Sequence, residues 1–162
     1  MAWTATQGSH VFQEWISQMY QASGTGYTGV DSDTVNAALF GNTGTPDQAA
    51  AVASTGYNTG QWVTGNEITD ATNWVAGGRT LAGKTFTFPA GSTFMFDAND
   101  LAGGGNMTVQ GVYGTLVYDN SITAGTVAKQ GISFHYFGGV QGVTAGTFTI
   151  VWNALGLHRA TV

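Results

Sequence analysis

The three histidines are the side chains best suited to acid–base chemistry or metal binding, and they lie far apart in this chain. His10, His135 and His158 share no short spacing, and the chain contains no cysteine. A zinc site needs three or four converging ligands, and neither a His-x-x-x-His pair nor any thiol is present. The nucleophile-elbow pattern Gly-x-Ser-x-Gly is also absent. The sequence therefore predicts no metal site and no catalytic residues.

Two acidic clusters resemble fragments of calcium-binding loops. Asp31-Ser32-Asp33 and Asp97-Ala98-Asn99-Asp100 place carboxylates close together, but neither continues into the glycine and distal glutamate of an EF-hand. Because Asp and Asn readily form turns, we interpret both clusters as surface turns. The sequence leaves open that two carboxylates meet in space as a glycosidase pair.

Residues 24–29, GTGYTG, have the letters of the dinucleotide-binding fingerprint. That motif follows a strand and opens a helix, whereas here the surrounding pattern predicts a helix before it and a strand after it. We interpret the segment as a flexible turn and expect no cofactor.

The charge of the chain argues against several classes of partner. The formal net charge is −5, and the four cations, Arg79, Lys84, Lys129 and Arg159, are scattered, so no basic stripe faces a phosphate backbone. We therefore expect no nucleic-acid partner. No apolar window is long enough to span a membrane, and the first residues lack the pattern of a signal peptide. We expect no membrane partner and synthesis in a cytoplasm.

Neutral polar residues replace charges in much of the chain. Only 8% of residues are charged, where an ordinary domain has about a quarter. Residues 36–63, NAALFGNTGTPDQAAAVASTGYNTGQWV, contain a single charged side chain, Asp47. Such a run is either a surface that a protein partner covers or a glycine-rich loop region that contacts nothing, because composition distinguishes interfaces only weakly.

Two segments have helical patterns. From Ser9, a suitable N-cap, apolar side chains recur at helical spacing, which predicts an amphipathic helix of about three turns ending before Gly24. Thr45 and Pro46 have the types found at a helix start, and a second, short helix is predicted from them to Gly56.

The remainder has the pattern of about eight short strands separated by Gly, Pro, Asn and Asp turns. The predicted strands are 34–40, 61–68, 80–88, 92–96, 108–119, 131–137, 146–152 and 155–162. This set predicts a mainly β fold, an antiparallel β-sandwich or flattened barrel with an N-terminal helix and a second short helix. We assign residues 9–162 to this single domain and residues 1–8 to an N-terminal arm.

Several segments resemble a known group of proteins. They are TVNAALFGNTGTPD, YNTGQWV, GGRTLAGKTFTF, FMFDANDL, GVYGTLVYD and GTFTIVWNALGLHRATV. The chain resembles small virion structural proteins of tailed bacteriophages over most of its length. The resemblance implies a capsid decoration (cement) protein, located on the capsid surface of the virion. It carries no catalytic signature.

The resemblance also implies partners. A decoration protein bridges neighbouring subunits of the major capsid protein, and the local three-fold positions of a capsid lattice favour a self-associated homotrimer. We expect protein contacts through the N-terminal arm and the charge-poor run. The candidate contact residues are Trp3, Thr4, Asn42, Thr43, Thr45 and Asn58.

A tail component or a carbohydrate binder of the host surface is the alternative. Trp62 with Asn66, or Trp74 with Asn73, would stack on and hydrogen-bond to sugars if these side chains were exposed.

Overall fold

The structure, a computed structural model, describes residues 3, 8–12, 29–90 and 93–161. The strands of these residues are, in chain order, β1 (His10–Val11), β2 (Val35–Phe40), β3 (Arg79–Thr80), β4 (Thr85–Ala90), β5 (Thr93–Asp97), β6 (Leu101–Ala102), β7 (Met107–Asp119), β8 (Gly131–Gly146), β9 (Thr149–Ile150) and β10 (His158–Thr161). Three short 3-10 turns, Val52–Ser54, Gly60–Trp62 and Thr64–Asn66, lie between β2 and β3. The described residues contain no α-helix, and none of their helical turns has the length and apolarity to cross a membrane.

The strands form antiparallel sheets. One sheet has five strands in the order β1-β8-β7-β2-β3, a second has three in the order β10-β5-β4, and β6 pairs with β9. Every strand pair is antiparallel. The prediction of a mainly β, antiparallel fold is therefore confirmed, and the arrangement is consistent with a β-sandwich.

The two long strands, β7 and β8, form the centre of the five-stranded sheet. β7 lies between β2 and β8, as its apolar residues on both alternations predict. β8 continues well beyond the predicted end at residue 137, since its far end pairs back on the start of β7, with Met107 opposite Gly146. Gly138 and Gly139 lie within β8 with φ of 78° and 156°, a region that favours glycine.

The core draws large side chains from the loops as well as from the strands. Fully buried aromatic residues include Phe12, Phe40, Trp62, Trp74, Tyr118 and Phe134. The ring of Trp62 lies 5.1 Å from that of Phe40 and 6.0 Å from that of Phe134, measured between centroids. The long connection between β2 and β3 is therefore anchored in the same core as the strands.

The predicted N-terminal helix is wrong where the structure describes it, and residues 13–23 of that prediction lie outside the described part. Instead, β1 pairs with the edge of β8. Phe12 continues this pairing, because its N–H donates to the carbonyl oxygen of Ile132 at 3.0 Å. Ser9 does not cap a helix, since its Oγ accepts the N–H of Tyr136 at 3.0 Å. An open strand edge satisfies these backbone groups, and this tertiary pairing overrides the local pattern.

The predicted second helix is also wrong. Between Thr45 and Gly56 the only helical turn is the 3-10 segment Val52–Ser54. The carboxylate of Asp47 accepts the N–H of Ala49 at 2.8 Å. This bond stabilises a turn, because an Asp side chain competes with the backbone for helical hydrogen bonds.

The strand predicted at residues 61–68 is replaced by two of the 3-10 turns. The side-chain Nδ2 of Asn66 donates to the carbonyl oxygen of Gln61 at 2.9 Å and holds the chain in a compact curve. Only Glu67, at its end, forms an isolated bridge with Phe40.

Candidate functional site

Trp3, a predicted contact residue, is buried inside this molecule. Its side chain is 4% exposed, and its ring lies 5.9 to 6.0 Å from those of Trp62, Phe134 and Tyr136. Its backbone N–H donates to Oδ1 of Asn42 at 2.6 Å. While Trp3 is packed in this way, its side chain belongs to the core and cannot touch a partner.

The predicted contacts that follow β2 lie close to the surface. Asn42 and Thr43 are exposed, whereas Thr45 is half-buried and its Oγ1 has no hydrogen-bond partner. Thr4 lies outside the described residues. The structure thus brings Asn42 to Trp3 and leaves Thr43 facing solvent.

Asn58 is exposed and bonds within its own loop. Its N–H donates to the carbonyl oxygen of Trp62 at 2.9 Å, and its Oδ1 accepts the N–H of Thr64 at 3.3 Å. Its φ of 66° is a left-handed conformation that Asn tolerates better than most residues. Asn58 therefore shapes the turn, and its role as a contact residue stays a prediction.

The tryptophans suggested for sugar binding are interior residues. Trp62 is 1% exposed and Trp74 is 0% exposed. Neither ring offers a face on which a sugar could stack, so the residues that favoured carbohydrate binding no longer support it.

Two of the three histidines meet at a buried serine. Oγ of Ser133 lies 3.0 Å from Nε2 of His135 and 2.7 Å from Nε2 of His158. The two imidazole rings are nearly parallel, at 7°, with centroids 6.1 Å apart, and the ring of Trp152 packs against His135 at 5.5 Å. A hydroxyl has one proton, so Ser133 donates to one imidazole and accepts from the other.

Ser133, His135 and His158, which we name the Ser133 cluster, are residue types found at nucleophilic catalytic sites. A substrate, however, cannot reach the serine. Ser133 is 0% exposed, so no substrate reaches its hydroxyl. Burial lowers the pKa of His135 to about 4, and burial together with the neighbouring His135 lowers the pKa of His158 to about 3. Both imidazoles are therefore neutral near pH 7. The cluster joins β8 of the five-stranded sheet to β10 of the three-stranded sheet, and this structural role is what the geometry supports.

Two carboxylates meet in space, although not as a glycosidase pair. Asp33 and Asp119 are 4% and 0% exposed, and their carboxyl groups lie within hydrogen-bonding reach. Oδ1 of Asp119 accepts the N–H of Ser121 at 2.9 Å, and Oδ2 has no donor among the described residues. Burial, followed by the neighbouring Asp33, raises the pKa of Asp119 to about 7. Below that pH Asp119 is protonated, and neither acid is accessible to a sugar.

The acidic turn at residues 97–100 organises backbone groups. Oδ1 of Asp97 accepts the N–H of Ala98 at 2.9 Å, and Oδ1 of Asp100 accepts the N–H of Trp152 at 2.9 Å. Within the described residues, no group of three His, Asp or Glu side chains could hold a metal ion. The interpretation of this cluster as a turn agrees with these bonds.

Glu67, which the sequence did not single out, is the centre of a buried polar network. Its Oε2 accepts the hydroxyl of Tyr57 at 2.7 Å, and its Oε1 accepts the N–H of Gly77 at 3.0 Å. The hydroxyl of Tyr118 donates to the carbonyl oxygen of Gly77 at 2.7 Å. Burial raises the pKa of Glu67. The network fastens the connection between β2 and β3, and every partner belongs to this chain.

The hairpin of β4 and β5 carries the largest exposed aromatic surface of the described residues. Phe88 is 71% exposed and Phe86 is 44% exposed. The ring of Phe86 contacts that of Phe88 edge-on at 5.5 Å and stacks on that of Phe94 at 5.7 Å. Phe96, opposite Phe86, is 2% exposed and belongs to the core. An apolar stripe therefore begins in the core and continues outward over an exposed face of the hairpin. We name the hairpin of β4 and β5 the aromatic hairpin.

The outer strand of the aromatic hairpin also has a free edge. Among the described residues β4 pairs only with β5, so its other side presents backbone N–H and C=O groups that no described strand pairs with. Pro89 lies in this strand, a position that tolerates proline because no ladder partner needs its missing N–H. Residues 85–96 contain no charged side chain. The sequence predicted strands over most of this hairpin, at residues 80–88 and 92–96, but not the exposure of its phenylalanines.

No protein-family model, curated protein or solved structure matches this chain.

Proposed function

We propose that this chain is a non-enzymatic structural protein of a bacteriophage virion. In this role it is synthesised in the host cytoplasm, decorates the capsid exterior as a homotrimer and bridges neighbouring major capsid subunits. The resemblance of its sequence to small phage virion proteins supports the viral setting. The aromatic hairpin is the observation that carries the contact role.

The aromatic hairpin has the chemistry of a protein contact. Burying the exposed face of Phe86 or Phe88 against a partner would contribute roughly 2 kcal/mol for each ring. Because residues 85–96 lack charges, a partner would cover them without stripping water from ions. Aromatic anchors surrounded by neutral polar groups are typical of the residues that dominate binding energy at interfaces.

Repetition on a shell makes a modest contact sufficient. A trimer that engages several capsid subunits at once binds through effective concentration, so each single contact can be weak. The charge-poor run at residues 36–63 supports the same role, since its neutral surface can approach a neighbouring subunit without charge repulsion. An enzymatic role would need an accessible site, whereas Ser133 and Asp119 are both 0% exposed.

Co-sedimentation with capsids tests the proposal. Shells assembled from the major capsid protein encoded in the same genome would be prepared without this chain and mixed with it at increasing concentration. We expect saturable pelleting of the chain with the shells, and a trimeric mass for the free chain by light scattering. Phe88→Ser should raise the chain concentration needed for half-maximal pelleting roughly tenfold or more. The reason is that it removes an exposed aromatic side chain and no core contact.

Val151→Ser is the matched control. Val151 is exposed to a similar fraction, 72%, and lies outside the aromatic hairpin, so this variant also replaces an exposed apolar side chain by serine. It should pellet like the unmodified chain. A chain that stays in the supernatant at every concentration would contradict capsid decoration and favour a tail location. Equal pelleting of both variants would show that the aromatic hairpin is not the contact.

A further inference from the structure

Arg79 lines a surface depression at the start of β3. The depression has a volume of about 320 Å³ and is lined by Thr72, Asn73, Val75, Gly78, Arg79 and Thr80. Arg79 is half-buried, and its guanidinium lies over the ring of Trp74, with Cζ 5.9 Å from the centroid. The ring and the depression hold the guanidinium in one place.

Most of the hydrogen-bonding capacity of Arg79 is unused. A guanidinium has five N–H donors in a rigid plane. Nη1 of Arg79 donates to the carbonyl oxygen of Asn73 at 2.8 Å, whereas Nε is buried and has no partner. Within the described residues no carboxylate forms an ion pair with Arg79. Because Nε is buried, only the remaining Nη donors can be reached from outside, and the described residues offer them no acceptor other than the carbonyl oxygen of Asn73.

The acids of the adjoining loop are held by other donors. Glu67 accepts from Tyr57 and Gly77, as described above. Oδ1 of Asp70 accepts the N–H of Asn73 at 2.8 Å, and Oδ2 accepts the N–H of Thr108 at 3.0 Å. Neither carboxylate is hydrogen-bonded to Arg79.

The other two cations of the described loops are engaged. Nζ of Lys84 donates to the carbonyl oxygen of Asp33. Nζ of Lys129 lies 5.3 Å above the ring of Tyr57. Arg79 has contacts of both kinds, with the carbonyl oxygen of Asn73 and the ring of Trp74, but it also keeps N–H donors that neither contact uses.

We propose that this depression binds a carboxylate, which Arg79 holds through its unpaired N–H donors. The planar fork of a guanidinium matches the two oxygens of a carboxylate and forms two parallel hydrogen bonds with it. Val75, 49% exposed at the same depression, suits the carbon stem that follows the carboxylate. A single guanidinium neutralises one negative charge, so a monocarboxylate fits better than a phosphate dianion. This site does not depend on the proposed role in capsids.

The side-chain Nε–H signals of arginine in ¹⁵N NMR spectra test the site directly. The chain has only two arginines, so Arg159, exposed on β10, is an internal control. Acetate, a short peptide with a free C-terminal carboxylate, its amidated form, and an amidated peptide with an internal glutamate would be titrated at constant ionic strength. The Arg79 signal should shift saturably with every probe that has a carboxylate, including the amidated peptide with an internal glutamate. It should not shift with the amidated form of the short peptide, which has no carboxylate. The Arg159 signal should drift without saturation.

The variants and the competing anion decide the assignment. Arg79→Lys keeps the charge but loses the planar fork and should weaken binding roughly tenfold, whereas Arg159→Lys should not. Tighter binding of the peptides than of acetate would identify a protein carboxylate as the source, and equal binding would identify a small carboxylic acid. Parallel, unsaturated shifts of both arginines would overturn the site. Binding of inorganic phosphate as tightly as acetate would overturn the carboxylate assignment.

Discussion

Nε2 of His158 lies 2.7 Å from Oγ of Ser133, and this contact joins the three-stranded sheet to the five-stranded sheet. The same oxygen lies 3.0 Å from Nε2 of His135. The contact between the sheets therefore includes two buried imidazoles, and burial disfavours the charged form of each. This preference makes the stability of the protein depend on pH.

Acidification should destabilise the protein through these two histidines. In the unfolded chain both have a pKa near 6.5, whereas in the folded protein the pKa of His135 is about 4 and that of His158 about 3. Above pH 6.5 both states are neutral and stability is complete. Below pH 6.5 the two histidines are protonated in the unfolded chain but stay neutral in the folded protein. The free energy of unfolding therefore falls, by up to about 2 kcal/mol per histidine at pH 5. Urea unfolding at pH 7.5 and pH 5 measures the change, with Asp119→Asn present in every chain compared, because Asp119 titrates in the same range with the opposite effect on stability.

Variants of the histidines separate this effect from the other titrating groups. His135→Gln combined with His158→Gln should lose most of the decline between pH 7.5 and pH 5, whatever its stability at pH 7.5. His10→Gln alters a histidine outside the Ser133 cluster and should retain the decline. A double variant that declines as steeply as the unmodified chain would contradict the prediction.

Asp119→Asn should stabilise the protein at high pH. The pKa of Asp119 is about 7 in the folded protein and 3.8 for an ordinary aspartate. As the pH rises from 3.8 to 7, the unfolded chain ionises first, so the unmodified protein loses stability that the neutral amide keeps. The variant should therefore gain about 3 kcal/mol relative to the unmodified protein between pH 4.5 and pH 8. Denaturant unfolding at the two pH values measures this difference, and Asp47→Asn, at an exposed turn, should show little change. If the gain in the free energy of unfolding caused by Asp119→Asn were the same at both pH values, the raised pKa of Asp119 would be contradicted.

Gly78→Ala should severely destabilise the loop before β3. Gly78 has a φ of 71°, and an added Cβ would lie 2.0 Å from the carbonyl oxygen of Ala37 in β2. Neither backbone can move without breaking the pairing of β2 with β3, so we expect a loss of roughly 3 kcal/mol or more. Gly65→Ala is the control, because no atom lies within 4 Å of its added Cβ. Thermal unfolding compares the two variants, and equal melting temperatures would contradict the geometry.

Trp3→Ala should lower the free energy of unfolding by roughly 3–5 kcal/mol, as for other large aromatic residues removed from a core. The reason is that Trp3, although outside the strands, packs against Trp62 and Tyr136. Thr43→Ala, at an exposed side chain nearby, should change stability little. Chemical unfolding of both variants measures the contrast. If Trp3→Ala matched Thr43→Ala, the N-terminal arm would not be part of the core.

The strands that the sequence predicts best are those whose pattern and partners agree. Residues 109–118 are apolar on both alternations, and β7 lies between two strands. By contrast, Phe86 and Phe88 alternate with threonines just as core residues do, yet they are exposed. Alternation shows which side chains share a face of a strand, but it does not show whether another layer covers that face.

The candidate sites depend on contacts between residues distant in the chain. Nothing near His135 in the sequence indicates that His158 meets it, and Asp33 and Asp119 lie in segments with separate patterns. Arg79 is one scattered cation in the sequence, and only its loop shows that its donors are unmatched. Cross-chain pairs of this kind leave no local spacing to recognise.

The sequence by itself determined the mainly β, antiparallel character of this protein, because two-residue alternation and turn residues are local properties of the chain. Tertiary structure alone decided that Phe12 extends the pairing of β1 with β8, that Asp33 and Asp119 are buried beside each other, and that Phe86 and Phe88 of the aromatic hairpin are exposed. Each of these outcomes depends on which backbone edge, charge or face a segment meets after folding, and that information lies in distant residues.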